Sequence, residues 1–252
     1  MRINKKMNDI FLTEINEKLK IYQKQDGLTF GTDAYLLYAY MKKRPKAVAC
    51  DLGSGTGVIA LLAASKGKYS KIHACELQNE FYKLILENIR VNSLDERIEA
   101  HLCDVCTMSG DCFGKQIDVV FTNPPYMKND SGKANMTEEK NIARHETCGT
   151  IFDFCHAASR VLKHGGYFYA VYRPDRLADL ICAMREAKLE PKKMTFVHAR
   201  KKLTPCLVLV EAKKGAGASM SVTKPLIMYN DDGSYTDDLN YIYNNGEFNE
   251  QY

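Results

Sequence analysis

Three glycines within five residues separate a strand-like run from a helix-like run in this chain, and that arrangement narrows the fold more than any other feature. Lys46-Ala47-Val48-Ala49-Cys50-Asp51 reads as a buried parallel strand, and Val58-Ile59-Ala60-Leu61-Leu62-Ala63-Ala64 reads as the helix that follows. In the turn Asp51-Leu52-Gly53-Ser54-Gly55-Thr56-Gly57, the residues Gly53, Gly55 and Gly57 permit positive φ and let a ligand approach backbone at a helix N-terminus. A dinucleotide fingerprint has the spacing G-x-G-x-x-G, whereas this turn reads G-x-G-x-G and has an acid, Asp51, before it. That form suits S-adenosylmethionine, with the turn against its ribose and amino-acid portion and Asp51 accepting from the ammonium through a water. Nicotinamide binding is the rival.

Acids recur at the ends of the next two strands. Lys71-Ile72-His73-Ala74-Cys75-Glu76 closes on Glu76, placed to take both ribose hydroxyls, with Leu77 beside it. A helix with Phe81, Leu84, Ile85 and Ile89 on one stripe follows. Ile98-Glu99-Ala100-His101-Leu102-Cys103 then leads to Asp104 and Val105, where the cofactor's adenine amine is expected. In an open parallel sheet ligands gather outside the carboxyl ends of strands, which is where these acids fall.

The fourth such end is Asn123-Pro124-Pro125-Tyr126, after the strand-like Ile117-Asp118-Val119-Val120-Phe121-Thr122. The prolines push Asn123 away from helical geometry, so its side-chain carbonyl and the Pro124 carbonyl can converge on one spot, while Tyr126 offers a ring face. Two acceptors and an aromatic surface fit a flat group bearing NH2, with adenine the leading candidate. An exocyclic amine is a poor nucleophile because its lone pair is delocalised. Hydrogen bonds to Asn123 and Pro124 strengthen as positive charge develops on nitrogen, which favours the transition state. The expected catalytic set is therefore Asn123, Pro124, Pro125 and Tyr126.

On these motifs the chain resembles the class I S-adenosylmethionine-dependent methyltransferases that use Asn-Pro-Pro-Tyr. More narrowly it resembles the bacterial tRNA1(Val) adenine-N6 methyltransferase family, through Asp26-Gly27-Leu28-Thr29-Phe30-Gly31-Thr32-Asp33, Ala34-Tyr35-Leu36-Leu37 and the late Lys224-Pro225-Leu226-Ile227-Met228-Tyr229. The resemblance implies a Rossmann-like α/β fold with a seven-stranded sheet and a tRNA substrate, methylated on the adenosine 3′ of the anticodon. It further implies that Thr32 and Asp33 lie over the methionine end of the cofactor; Asn123 is expected to touch the cofactor as well as the substrate. Physically Thr32-Asp33 also reads as a helix N-cap. Protein-glutamine and rRNA guanine-N2 methylation share the motif, and an RNA-binding module that retains the fold without catalysis is the alternative of another class.

The rest of the sequence agrees with an intracellular enzyme. Its 252 residues, 45% of them hydrophobic, can bury a sizeable core, and they divide into a cap at 1–46 (a hairpin around Gln25-Asp26-Gly27, then a helix), a methyltransferase domain at 47–214 and an extension at 215–252. No run is apolar enough to span a membrane, and the first residues lack a secretory signal, so the cytoplasm is expected. Nine cysteines, among them Cys50, Cys75, Cys155, Cys182 and Cys206, read as small buried thiols of a reducing compartment. Cys103-Asp104-Val105-Cys106 has no partner pair, so no metal is expected. The net charge is only +4, but Lys42-Lys43-Arg44, Lys192-Lys193, Arg200-Lys201-Lys202 and Lys213-Lys214 are four candidate phosphate contacts. The polar stretch 127–147 reads either as a substrate lid or as a loop that is disordered without RNA. The late Tyr-Asn-Asn stretch is expected to fray. The sequence sets no oligomeric state.

Overall fold

A computed structural model of the chain describes residues 10–16, 19–24, 31–125 and 149–252. The sheet runs in the order β5 (Ile98–Leu102), β4 (Lys71–Glu76), β3 (Val48–Leu52), β6 (Ile117–Thr122), β7 (Leu162–Tyr172), β9 (Pro205–Lys214) and β8 (Leu189–Arg200). The strands from β5 to β7 are mutually parallel, and β9 is antiparallel to both β7 and β8. Two short strands, β10 (Ser221–Val222) and β11 (Leu226–Tyr229), then pair in parallel along β8, which makes nine strands among the described residues where seven were expected. The extra pair comes from residues 221–229, after the last strand expected from the sequence.

Strand alternation sorts side chains between two cores. Ala49, Ile72, Ala74, Ile98, Val119 and Phe121 face α1 (Thr32–Tyr40), α2 (Val58–Ser65) and α3 (Asn79–Val91), whose stripe of Phe81, Leu84, Ile85 and Ile89 is buried as its spacing predicts. Val48, Cys50, Leu52, Cys75 and Val120 face α4 (Ile151–Val161) and α5 (Leu177–Glu186) on the other side. A capping box sets the start of α4, with Thr150 and Asp153 satisfying each other's backbone N–H groups. Burying one large apolar side chain such as Ile85 contributes about 1.5–3 kcal/mol, so these two layers hold the sheet.

Several expectations need correction. The N-terminal strands β1 (Ile10–Asn16) and β2 (Leu19–Lys24) pair antiparallel, while Gln25-Asp26-Gly27, around which a hairpin was expected, lies outside the described residues. Leu19 and Ile21 are buried, and Asn88 and Asn92 on α3 fasten the β2 backbone: Asn88 exchanges bonds with Tyr22, and Asn92 with Lys20. The stretch expected to fray is instead the end of a helix, α6 (Asp237–Asn245), capped by the Thr236 hydroxyl and buried through Leu239 and Ile242. Cys50, Cys75 and Cys155 are buried, but Cys182 and Cys206 are exposed, because Cys182 lies off the Leu180, Ala183, Met184 stripe and Cys206 stands at the start of β9, next to the turn from β8. No helix among the described residues is long and apolar enough to cross a membrane.

Candidate active site

Sequence order reverses between β3 and β6, since β4 and β5 lie to one side of β3 while β6 and β7 lie to the other. Register sets Asp51 beside Phe121, so the glycine turn after β3 and Asn123 after β6 leave the sheet at the same rim. Gly53, Gly55 and Gly57 have φ of 69°, 58° and 83°. Gly55 is informative, because a Cβ there meets no protein atom within 4 Å. A side chain at Gly55 would occupy space that the protein leaves open. Its N–H donates to the Glu76 carboxylate at 2.8 Å, which joins the ends of β3 and β4. The other Glu76 oxygen accepts from the Gln78 N–H at 2.8 Å. Burial raises the Glu76 pKa, and these N–H donors pull it partly back.

Asp51 is buried. Its Oδ2 accepts from the Ser54 hydroxyl at 2.8 Å, and its Oδ1 has no hydrogen-bond partner among the described residues. Burial pushes its carboxyl up to about 7, with Ser54 opposing the rise and Glu76 adding to it. A buried, half-satisfied carboxylate beside an open glycine turn is suited to a ligand that brings a positive charge or a donor. Thr56, inside the turn, is held through its carbonyl by the Asn88 amide at 2.9 Å. Sequence reasoning missed Asn88, a fully buried polar residue whose only sign was an amide within the apolar stripe of α3.

Thr32 and Asp33 form the first turn of α1, whose N-cap is Gly31 with no side-chain cap, so the N-cap reading of Thr32-Asp33 gives way. A Cβ on Gly31 would collide with the Asp33 carboxylate, which folds back over that position. The Asp33 Oδ2 accepts from the Asn123 side-chain amide at 2.8 Å. Thr32 hydrogen-bonds the Tyr243 hydroxyl, whose pKa burial raises and Thr32 lowers. Asp104 accepts from the Cys106 N–H at 2.8 Å in the turn after β5, with Val105 buried behind it. Leu77 follows Glu76 at the end of β4. Pro124 is buried and Pro125 half-buried beyond β6. Tyr126 and the stretch 127–147 lie outside the described residues, as do residues 25–30.

The four basic clusters separate by position. β8 runs parallel to β7, so the turn after Arg200 lies at the rim that carries Asn123. Arg200, Lys201 and Lys202 are exposed there. The others lie toward the opposite ends of the strands and have internal roles. Arg44 sits over the Tyr167 ring at 3.9 Å, Lys193 over Tyr40 at 4.6 Å, and Lys214 donates to the Ser159 and Leu162 carbonyls. A cavity of about 540 Å³ at that far end, lined by Arg44, Lys46, Asp118, Lys163 and Tyr167, contains none of the expected site residues. Tyrosine rings connect the basic rim to α1, with successive centroids 5.6 Å (Tyr229 to Tyr235), 5.4 Å (Tyr235 to Tyr243) and 5.0 Å (Tyr243 to Tyr35) apart. Tyr235 is 46% exposed, so part of this row faces solvent.

A family model described as the methyltransferase small domain matches residues 24–179. The chain is 27% identical over 197 residues to a tRNA1(Val) (adenine(37)-N6)-methyltransferase of Phocaeicola vulgatus, covering 78% of this chain and 82% of that protein. It is 26% identical over 220 residues to a protein of the same name from Dyadobacter fermentans, covering 86% and 89%. Among solved structures, one described as a predicted O-methyltransferase from Agrobacterium tumefaciens superposes with a TM-score of 0.69 at 23% identity, over 86% of this chain and 97% of that one. At that identity the likeness speaks for the fold.

Proposed function

We propose that this chain, which belongs to the methyltransferase small domain family, is an S-adenosylmethionine-dependent enzyme that methylates N6 of an adenosine in tRNA, on the 3′ side of the anticodon. The observation that carries this reading is the Asp33–Asn123 contact beside the glycine turn, at the rim where the strand order reverses. The names borne by the relatives support the substrate class. Asp51, the open face of Gly55 and the Glu76 carboxylate are the groups expected to meet the cofactor, the two carboxylates accepting from its ammonium and its ribose hydroxyls and Gly55 leaving room for its approach to the backbone.

The cofactor supplies an electrophilic methyl group on a sulfonium sulfur. The protein's part is to present a weak nucleophile in line with it. An ionised Asp33 can only accept, so it turns the NH2 end of the Asn123 amide toward itself and fixes the opposite end as the oxygen acceptor. A carboxylate bonded to that NH2 also pushes electron density toward the amide oxygen, strengthening it as an acceptor. The substrate's two N–H donors meet the Asn123 oxygen and the Pro124 carbonyl. Both bonds tighten as nitrogen becomes positive, and the proton leaves to water afterwards, so no strong base is needed. Tyr126 is assigned the stacking face, a contact that contributes about 1–3 kcal/mol per base. Arg200, Lys201 and Lys202 are proposed to hold phosphates on the same rim, with Tyr235 next along it. The expected compartment is the cytoplasm.

Radiolabelled methyl transfer followed by nucleoside mass spectrometry tests the reading. The expected product is N6-methyladenosine in tRNA. Label in a protein glutamine or an rRNA guanine would transfer the site to those substrates, and cofactor binding with no label anywhere would leave a binding module.

A further inference from the structure

Away from the methyl-transfer rim, two imidazoles and a carboxylate converge at the edge of the sheet. His73 lies on β4, while Glu99 and His101 stand two positions apart on β5, and the pairing sets His73 beside Glu99 and Cys75 beside His101. Alternation puts all three on the Cys75 face, whereas Asp51 and Glu76 alternate to the opposite face. His73 Nδ1 and His101 Nε2 are 2.9 Å apart. One Glu99 oxygen is 3.9 Å from His73 Nδ1, and the other is 3.8 Å from His101 Nε2. The ligand atoms of the three residues all lie within 4.8 Å of one another.

The surroundings hold these groups in place. Phe113, from the connection between β5 and β6, stacks on the His73 ring at 4.4 Å and meets His101 edge-on at 5.2 Å. Lys71 pairs with Glu99 at 2.5 Å, which neutralises the carboxylate and orients it. A neutral site built on two imidazoles does not suit calcium or magnesium, which want several charged or carbonyl oxygens. It suits the imidazole-binding divalent transition metals. Two ring nitrogens at hydrogen-bond distance share one hydrogen. They need to separate only to roughly 3.3 Å to accept metal–nitrogen bonds of about 2.0–2.1 Å in tetrahedral geometry, the displaced hydrogen moving to the outer nitrogen of its own ring.

We infer that His73 Nδ1, His101 Nε2 and a Glu99 oxygen bind a divalent transition metal of the zinc type, with solvent completing the coordination, and that the ion fastens edge strand β5 to β4. The inference stands apart from the methyl-transfer reading. It departs from the metal-free expectation drawn from Cys103 and Cys106, because the ligands come from separate strands and only the register brings them together.

The full chain, stripped with a chelator, is titrated with Zn²⁺ against a chromogenic competitor and with Co²⁺ monitored by visible absorption. One equivalent should bind, Co²⁺ should develop the bands of a low-coordinate site, and the melting temperature should rise with Zn²⁺. His101→Ala should weaken binding about tenfold or more, while Cys103→Ser and Cys106→Ser leave it unchanged. Glu99→Gln, which preserves volume, provides the same readout if His101→Ala disturbs the strand. Absence of saturable one-equivalent binding, or binding that persists in both variants and falls in the cysteine variants, overturns the assignment. None of these readouts depends on methyl transfer.

Discussion

The Asn123 side-chain amide donates to the Asp33 carboxylate at 2.8 Å, tying the first turn of α1 to the end of β6 across 90 positions of sequence. If Asn123 aligns the substrate amine and Asp33 acts through it, their substitutions should not add. Asn123→Ala is expected to lower kcat about 10²–10³-fold while cofactor affinity persists. Asp33→Ala, which removes a hydrogen bond to a charged group, should cost about 1.5–3 kcal/mol in the transition state. The double variant should be no slower than Asn123→Ala alone, measured under single-turnover conditions. Additive effects would separate the two residues.

Asp51 predicts a pH dependence with a definite sign. Burial keeps its carboxyl protonated up to about 7, whereas its ordinary value is 3.8. Between those two values the folded chain retains a proton that the unfolded chain has released. The stability this group contributes is thus complete below the lower value and is lost as pH rises toward 7. Burial shifts Glu76 in the same direction. A cationic ligand needs the carboxylate, so cofactor affinity measured by calorimetry should rise with pH to about 7 and then level off. Asp51→Asn should remove most of that rise and increase the apo melting temperature at pH 8. A flat affinity profile in the unaltered protein would count against a charge contact.

Two glycines of the same turn should respond differently to alanine. At Gly53 an added Cβ meets the Phe154 ring at 2.9 Å, and at Gly55 it meets nothing within 4 Å, although φ is positive at both. The backbone cost of a left-handed alanine is about 1–2 kcal/mol in each case. Gly53→Ala should therefore lower the melting temperature further than Gly55→Ala. Gly55→Ala should act mainly on cofactor binding, which isothermal titration checks.

Charge reversal should distinguish the basic rim from the other lysine clusters. Lys201→Glu together with Lys202→Glu is expected to weaken tRNA binding and to flatten its salt dependence, by a slope of about 1 for each phosphate that is no longer neutralised. Lys192→Glu, on a side chain that donates to the Gly217 carbonyl far from the rim, should leave the slope unchanged. Filter binding over a salt series measures both. Equal effects at the two places would argue against a docking role for the rim.

What could be read from the sequence was the locally encoded part. Gly53 to Gly57, the strand-end acids and the α3 stripe depend on spacing within one element or one turn, so their positions at the rim followed from the order of elements. Features made by distant pairing were not legible. Asp33 looked like a helix start because nothing nearby in sequence shows Asn123 approaching it. Asn88 looked like a polar interruption, although it holds both the Thr56 carbonyl and the β2 backbone. β10 and β11 lack the length that marks a strand and depend on an edge of β8 that only the folded sheet supplies. His73 and His101 lie 28 positions apart and meet through the register of β4 and β5.

The way β10 and β11 lie end to end along β8 bears on how this protein behaves when it is crowded. An open sheet exposes two rows of unpaired amides, each a template onto which a neighbouring molecule can zipper. Here β10 and β11, two and four residues long, cover part of β8 and replace one long border with two short ones, which leaves β5, at five residues, as the longest border of the main sheet among the described residues. Short edges are poor templates, so strand-to-strand clumping at high concentration should favour β5, near Leu102, which is 49% exposed.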